Sequence, residues 1–472
     1  MNETAIATPG VYVSEISTLP PSIAQVSTAI PAFIGYTQIA LDSNGVSLTG
    51  IPTKIFNFKE YEQYFGKAEN EQGITVDVIQ QTTPPVSLSA VAKIATPSIH
   101  NMYYSLRHYF DNAGGPCYIV STGATTAAAI ADTDLLAAVD TLEAYDEPTL
   151  YVFPEAQNIT DESKFYALFA HAIDSCAKLQ DRFTIVDIYA QAANTNTTIS
   201  NFRNVLPHTT GFNKNNNLNY AAAYYPNLKT TYEYQYIDGD VQVNLTKNGG
   251  PATNPLLDSL LTTDSVVYYA AKNAVKKLGP ILPPSPAIVG VYANTDANRG
   301  VWKAPANVSI NSIYDVTDFV TDEEQGTMNI DAGSGKSVNA IRPFNGKGIL
   351  VWGARTLDGN SSEWRYVSVR RLFIMVEEST KKATMQFVFE PNDANTWTKI
   401  RAMIENYLTL LWREGALAGA KPEHAFFVKC GLGQTMTAQD ILDGRLIVEI
   451  GMAAVRPAEF IILRFMHKLQ ES

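Results

Sequence analysis

From about residue 100 onward, short continuous apolar runs alternate with segments in which apolar residues recur at helical spacing. Uninterrupted apolar strands that alternate with amphipathic helices are typical of a mostly parallel sheet covered on both faces. The pattern therefore predicts an α/β fold. The predicted strands are Cys117–Val120, Thr149–Phe153, Phe183–Ile188, Ala221–Tyr225 and Ala287–Tyr292. The predicted helices are Met102–Phe110, Asp134–Glu143, Asp161–Leu179, with Asp161 as its cap, and Asp264–Leu278.

Two other stretches interrupt this pattern. The residues 67–99 are polar and rich in Thr and Pro, which predicts an exposed insertion. The stretch 229–262 has alternating tyrosines and an Asp-Gly-Asp turn, which predicts an inserted hairpin. Before them, a strand is predicted at Pro52–Phe58, followed by a helix at Glu60–Gly66 that ends at its glycine.

The pattern changes after Asn307, where short strands and one long helix predict an α+β carboxy-terminal region. The helix covers Ala394–Arg413, with Gly415 as its stop. The predicted strands are Ile349–Trp352, Val367–Val369, Phe387–Phe389, Phe426–Lys429, Arg445–Gly451 and Glu459–Phe465, and Arg371–Ser379 starts a helix or an edge strand. With 472 residues, two to four domains are expected. We place their limits at 1–40, 41–99, 100–307 and 308–472.

Both ends of the chain carry an extended segment. Thr8–Glu15 lies outside any obvious core, and Glu459–Phe465 has apolar residues on both faces. Terminal strands leave backbone groups that another chain can pair, and an arm of ~15 residues reaches ~50 Å. The alternative is that both strands pair within their own subunit.

Composition narrows the function classes. The chain has 46% hydrophobic and 17% charged residues, which is typical of a globular protein, and its net charge of −12 argues against duplex DNA or RNA as a general partner. Three widely spaced cysteines predict buried thiols rather than disulfides. No run approaches the ~20 apolar residues that span a bilayer, and no signal peptide is recognised, so we expect synthesis in the cytoplasm.

Candidate chemistry is sparse. Gly333–Ser337 resembles the end of a P-loop, but position 330 is Ile where that motif needs glycine, so a flexible surface loop is predicted. Asp187 ends a predicted buried strand, where α/β enzymes place catalytic acids, yet no G-x-S-x-G motif accompanies it, and we predict that it caps the following loop. The six histidines show no metal-like spacing. We therefore predict no catalytic, cofactor or metal residues, with a hydrolase-like enzyme or a non-contractile shell protein as the alternatives.

Several segments, in a fixed order, resemble the contractile tail-sheath proteins of phages, tailocins and extracellular injection systems. The resemblance is weakest in 67–99 and 229–262. The segments that carry it are Thr8–Val13, Pro31–Gly35, Tyr220–Pro226, Pro283–Ala293, Thr295–Asn307, Asn339–Arg342, Gly346–Leu357, Trp364–Phe373, Phe389–Asn392, Gly415–Gly419, Ala425–Cys430 and Pro457–Phe460.

The resemblance implies a structural subunit, six copies of which form each ring around an inner tube, with rings stacked helically. Contraction from a metastable extended state would drive the tube through a target envelope without nucleotide hydrolysis. The implied partners are other copies, the tube, baseplate and cap proteins, and sister sheath proteins, with no cofactor, nucleic acid or membrane insertion. The particle would be made in a bacterial cytoplasm and then be released or act at the envelope. One chain with both family halves argues against the two-protein type VI arrangement.

The resemblance also assigns roles to residues. Strands that complete a small sheet in neighbouring subunits would include Gly10, Val11, Tyr12, Val13, Phe460, Ile461, Ile462, Leu463 and Phe465. The basic residues of the long helix, Lys399, Arg401 and Arg413, are candidates for contact with an acidic tube. Bidentate arginines that flank strands, Arg355, Arg370 and Arg371, are candidates for subunit contacts, with ordinary surface pairing as the alternative.

Overall fold

The computed structural model describes residues 22–189, 194–206 and 217–464. The chain folds into two compact units. The core unit comprises residues 27–375 and 456–472, and the small unit comprises residues 1–26 and 376–455. The predicted domain limits, which are based on the linear sequence, stay predictions.

The described residues contain seventeen strands. They are β1 Pro31–Thr37, β2 Thr53–Ile55, β3 Ile74–Gln81, β4 Ser87–Ile94, β5 Cys117–Ala124, β6 Leu150–Val152, β7 Phe183–Asp187, β8 Ala221–Tyr225, β9 Leu228–Thr230, β10 Gln242–Lys247, β11 Ile281–Leu282, β12 Val308–Ser309, β13 Ile313–Val316, β14 Val338–Phe344, β15 Gly348–Val351, β16 Phe426–Lys429 and β17 Glu449–Met452.

Thirteen α-helices lie in the same described part of the chain. They are α1 Phe58–Phe65, α2 Met102–Asp111, α3 Asp132–Leu142, α4 Glu162–Leu179, α5 Thr195–Val205, α6 Leu257–Thr263, α7 Ser265–Val275, α8 Ser285–Arg299, α9 Asp322–Asn329, α10 Val367–Thr384, α11 Ala394–Arg413, α12 Pro422–Ala425 and α13 Ala438–Leu442.

A nine-stranded sheet forms the centre of the core unit, in the order β12-β15-β14-β8-β7-β6-β1-β5-β2. The six strands from β14 to β5 run parallel, and antiparallel β15 and β2 flank them. Every residue of β1, β6, β7 and β8 is buried, which is why these strands have continuous apolar sequences rather than alternating ones. The predicted parallel α/β fold is confirmed.

Helices α2 and α8 pack against each other beside the sheet, and α3 packs against α4. The cap predicted for α4 is also confirmed, because the Asp161 carboxylate accepts a hydrogen bond from the Ser163 N–H. Gly66, at φ 82°, ends α1 as the sequence predicted.

The predicted strand Ala287–Tyr292 is wrong, because these residues lie inside helix α8. All residues from 285 to 292 are buried, so the helix has no polar face to reveal a period of 3.6 residues. Gly290 is required here for close packing, since an ideal Cβ on it would lie 2.9 Å from the Tyr109 carbonyl oxygen of α2.

Two more predicted strands are wrong, and only the first of them for a similar reason. Val367–Val369 is the buried first turn of helix α10, and Phe387–Phe389 follows that helix as the end of a 3₁₀ turn and a loop. The strand predicted at Arg445–Gly451 is shorter and shifted, at β17, whereas β16 is confirmed over Phe426–Lys429.

The two stretches with the weakest resemblance form one structure. Strand β3 lies between its hairpin partner β4 and β10, to which it is parallel. The inward side chains Ile74, Val76 and Val78 join a separate apolar cluster with α6 and α7. The region 67–99 therefore supplies two strands of a small three-stranded sheet, which its polar composition did not predict.

In the small unit, helix α11 presents an apolar face and packs against β16. Its cap is Asp393, whose carboxylate accepts from the Asn395 and Thr396 N–H groups, and Gly415, at φ 86°, follows its last turn as predicted.

Substitution of Gly290 by alanine should destabilise the core unit by about 1–3 kcal/mol, because the new methyl group forces α2 and α8 apart. The matched control is Gly326→Ala in helix α9, where an added Cβ meets nothing within 4 Å. The control should gain about 0.5–1 kcal/mol from helix propensity. Urea unfolding midpoints measure both, and equal midpoints for the two variants would contradict the packing described for α8.

Candidate subunit-linking site

The carboxy-terminal segment, residues 456–464, lies outside helices and strands within its own chain. Its four large apolar residues, Phe460, Ile461, Ile462 and Leu463, are 68%, 78%, 79% and 73% exposed. Four consecutive apolar side chains with this exposure bury little of their surface against their own chain, which is typical of a surface that another chain covers. Of the residues predicted to link subunits, these four are described, whereas Gly10, Val11, Tyr12, Val13 and Phe465 lie outside the described residues.

Directly before this apolar run lies Glu459, whose carboxylate binds three other side chains of the core unit. Arg355 Nη2 lies 2.6 Å and Nε 3.0 Å from the carboxylate oxygens, and Asn329 Nδ2 donates over 2.8 Å. The Tyr366 hydroxyl donates over 3.2 Å. A carboxylate that accepts from a bidentate guanidinium forms the stronger class of hydrogen bond.

Arg355 is also held in place by residues other than Glu459. Its side chain is 3% exposed, its N–H donates to Asn339 Oδ1 over 2.7 Å, and its Nη1 donates to the Asn329 carbonyl over 3.1 Å. Burial alone would raise the pKa of Glu459, but the hydrogen bonds from Arg355 and Asn329 and the Arg355 charge hold it below its ordinary value. Glu459 is therefore held as a carboxylate.

The amino-terminal end of the core unit has a matching arrangement. Arg371 forms a bidentate pair with Asp296, with N–O distances of 2.5 and 3.0 Å, and Arg371 Nη2 donates to the Thr28 carbonyl over 2.8 Å. The Thr28 hydroxyl donates to Asp296 over 2.6 Å. The guanidinium also lies over the Tyr292 ring, 4.5 Å from its centre.

The third predicted arginine, Arg370, is buried between the rings of Tyr220 and Trp364, with 4.5 Å from its guanidinium carbon to each ring centre. Arg355, Arg370 and Arg371 therefore all lie inside the core unit, and ordinary surface pairing does not describe them. That any of them contacts a neighbouring subunit stays a prediction. Sequence reasoning missed both acidic partners, since Asp296 and Glu459 lie 75 and 104 residues from their arginines.

A separate candidate for strand pairing is a two-stranded antiparallel sheet in the small unit. Phe427 pairs with Gly451 and Val428 with Ile450, and beyond these two strands the described residues add only the isolated antiparallel bridge between Leu417 and Ala454, past the end of β17. The Phe427 ring covers Gly451, where an ideal Cβ would lie 2.3 Å from it. A two-stranded sheet is marginal alone and has backbone groups at its edges that can pair with a further strand.

The candidate tube residues lie on α11, but not on one side of it. Lys399 and Arg413 are exposed, and at 100° per residue their positions differ by about 40°. Arg401 lies about 160° from Lys399 around the helix axis, with its Nε 3.9 Å from Glu405 Oε1. Lys399 and Arg413 can therefore share a surface that Arg401 does not join.

The enzyme alternative can be examined at the carboxyl ends of the parallel strands. Strand β5 lies on one side of β1 and β6 lies on the other, so the direction in which strands are added to the sheet reverses at β1. Doubly wound enzymes bind ligands at such a switch point, outside the carboxyl ends of the strands. The carboxylate of Glu155, a fully buried residue, fills this position: it accepts from the Tyr36 N–H over 2.7 Å and lies 3.5 Å from His100 Nδ1.

Asp187 is also used for folding. The prediction that it caps the following loop is wrong, because its carboxylate caps helix α8, accepting from the Ser285 N–H over 3.0 Å and from its hydroxyl over 2.6 Å. Burial raises the pKa of Asp187 to about 7, against the lowering effect of these hydrogen bonds.

The loop Gly333–Ser337 is not the flexible surface loop that was predicted, because Lys336 and Ser337 are buried. The Lys336 ammonium donates to the carbonyls of Arg203 and Leu206, over 2.8 and 2.9 Å, at the end of α5. It thus satisfies carbonyls that a helix leaves free. Burial, and then the Arg203 charge, lower its pKa to about 8.

The described part of the chain contains no group of three His, Cys, Asp or Glu side chains arranged to hold a metal. In the same part, no helix is both long and apolar enough to cross a bilayer.

Comparison with known proteins gives two family matches. Residues 128–357 match the phage tail sheath protein central domain, and residues 360–467 match the phage tail sheath C-terminal domain. The tail sheath protein of Vibrio phage KVP40 is 25% identical over 186 residues, which cover 39% of this chain and 26% of that protein. The tail sheath protein of Enterobacteria phage T4 is 26% identical over 127 residues, 27% of this chain and 19% of that protein. The matched segments thus span about a quarter or less of these relatives.

Solved structures match over nearly the whole chain. The helical sheath of the anti-feeding prophage in its contracted state is 31% identical, with 98% of this chain and 100% of that chain covered and a TM-score of 0.64. The sheath complex of the extracellular contractile injection system PVC, also contracted, is 30% identical, with 98% and 99% covered and a TM-score of 0.64.

The raised pKa of Asp187 generates a prediction about pH. Its contribution to stability is complete below the ordinary pKa of 3.8, declines as pH rises, and is lost once pH passes the folded value of about 7. Asp187→Asn keeps a neutral cap for Ser285, so it should gain stability relative to the unsubstituted chain between pH 5 and pH 8. Urea unfolding midpoints at both pH values test this, and a difference that does not change with pH would contradict it.

Proposed function

This chain belongs to the contractile tail sheath family, and we propose that copies of it assemble into helically stacked rings of six around an inner tube and contract to drive that tube through a target envelope. It is a structural sheath subunit. The linkage, the partners and the contraction cycle described below are our proposals for this chain.

One observation carries the proposal: a largely exposed apolar segment coexists with a two-stranded sheet that has pairable edges. Along an extended chain, Phe460 and Ile462 point to one side and Ile461 and Leu463 to the other. The hydrophobic effect stabilises a strand that is apolar on both sides most when both of its faces are removed from water. We infer that the segment adds to the β16–β17 sheet of a neighbouring copy, where backbone pairing gives affinity and side chains give register.

The amino-terminal strand, with Gly10, Val11, Tyr12 and Val13, is proposed to join the same kind of sheet. Its support is the resemblance of Thr8–Val13 and the extended pattern of Thr8–Glu15. About ten residues separate Val13 from Ile23, a buried residue of the small unit, and ten extended residues reach ~35 Å. Such a strand can meet a sheet in an adjacent copy.

A segment on one copy that pairs with a sheet on the next makes a heterologous contact, which generates rings or helical stacks rather than isolated dimers. Linking strands can stay paired while the subunit bodies change their packing, so contraction needs two alternative packings and no nucleotide. The other proposed partners are baseplate and cap proteins and sister sheath proteins. The proposed setting is a phage tail-like particle, made in the bacterial cytoplasm, that is released or acts at the cell envelope.

Removal of residues 460–472 or 1–17 should abolish long striated tubes in negative-stain electron microscopy of native particles, because each deletion removes one linking strand. A finer test is the double substitution Ile461→Asp and Leu463→Asp, which should also prevent tube formation. Its matched control is Val86→Asp with Val91→Asp, apolar residues just before and within β4 that are 72% and 65% exposed. Tubes that form normally in both double variants would sink the strand linkage.

The contact with the tube is proposed to use α11, with Lys399 and Arg413 on one surface and Arg401 on the opposite flank. Lys399→Glu should lower the fraction of sheaths that contain a tube, since it places a negative charge against an acidic partner. Lys421→Glu, an exposed lysine of the same unit, is the control. Cryo-electron microscopy of purified particles gives the filled fraction, and equal filling in the two variants would rule out this surface.

A further inference from the structure

Each end of the core unit is tied down by a buried arginine–carboxylate pair. At one end, Thr28 is the second residue of the core unit, and both its carbonyl and its hydroxyl are bound by the Arg371–Asp296 pair. At the other end, Glu459 is bound by Arg355 immediately before the exposed apolar run. A buried guanidinium therefore holds the chain directly before the exposed apolar run, and also where the chain enters the core unit from small-unit residues 22–26, of which Ile23 is buried.

One side chain attaches the carboxy-terminal segment, residues 456–464, to the rest of the core unit. Among the residues that the structure describes, the hydrogen bonds of segment 456–464 all converge on Glu459. A pull on Phe460 therefore reaches the core unit through that carboxylate. Arg355 can resist the pull, because its backbone is fixed by Asn339 and its guanidinium is bound on a second side by the Asn329 carbonyl.

We propose that Glu459 and Asp296, with Arg355 and Arg371, are positioning residues that anchor the two linking segments, so that displacement of one subunit is transmitted to the core unit of the next. This inference rests on the proposed function, because an anchor matters only if the segments link copies. It assigns the arginines a role inside the subunit rather than at its surface.

The two anchors differ in what holds them together. Arg371 and Asp296 belong to helices α10 and α8, so their pair forms whether or not Thr28 is bound. The Arg355–Glu459 pair exists only while the segment is seated, and the Glu459 side chain is 21% exposed, against 8% for Asp296. The carboxy-terminal anchor is therefore the one that opens first under load.

The first test is limited chymotrypsin digestion of the full-length, unassembled chain, read by mass spectrometry. Chymotrypsin can cleave after Phe460 only when the residues on both sides of that peptide bond have detached from the protein surface. The hydrogen bonds of the Glu459 carboxylate prevent this detachment. Glu459→Ala should speed this cleavage about tenfold, the change expected when charge-assisted hydrogen bonds no longer limit the open population. Glu363→Ala, which removes an exposed glutamate of the same unit, should leave the rate unchanged. Equal rates in the two variants would overturn the anchor.

The second test uses whole particles. Glu459→Ala particles should still form tubes, because residues 460–463 remain, but a several-fold smaller fraction should contract fully when triggered. Full contraction at the level of Glu363→Ala would overturn the anchor while the linkage stands, provided that deletion of 460–472 prevents tube formation. Normal tubes after that deletion would instead overturn the linkage itself. The unfolding midpoint of each variant separates loss of transmission from loss of the fold.

Discussion

The proposed assembly depends on one constraint, which is the need to pair backbone groups. Such groups lie at the edges of the β16–β17 sheet and along the carboxy-terminal segment. A peptide group that is removed from water without a partner is costly, so an apolar segment cannot be buried as an isolated extended chain. It must enter a sheet, and the described residues of its own chain offer it no strand pairing. In the proposed linkage, completion of the fold and association with other copies are the same event.

In the proposed assembly, the core unit is the rigid body of each copy. Its parallel sheet places Glu155 and Asp187 where doubly wound enzymes place polar groups, and Lys336 lies just before β14, but each has a structural task. Glu155 fills the topological switch point, Asp187 caps α8, and Lys336 binds the last carbonyls of α5. A fold shared with enzymes does not imply catalysis when these groups are already bound within the chain.

The sequence predicted β5 to β8 of the central sheet, because strands buried on both faces need continuous apolar runs, but it did not predict β1 or β14 of the same sheet. The same signal failed at α8, since a helix buried all round also gives such a run and only contacts with α2 distinguish the two. The exposed segment 460–463 could be predicted from its two apolar faces. Its anchor could not, because no local pattern connects Glu459 with an arginine 104 residues earlier.

The most direct measurement is a cryo-electron microscopy structure of the assembled sheath in its extended state. We predict that residues 460–463 form a strand that is hydrogen-bonded to the edge of the β16–β17 sheet of an adjacent copy, while Glu459 remains bound to Arg355 of its own chain. A structure in which residues 460–463 fold back onto their own subunit, with neighbouring copies meeting only through side-chain surfaces, would contradict it.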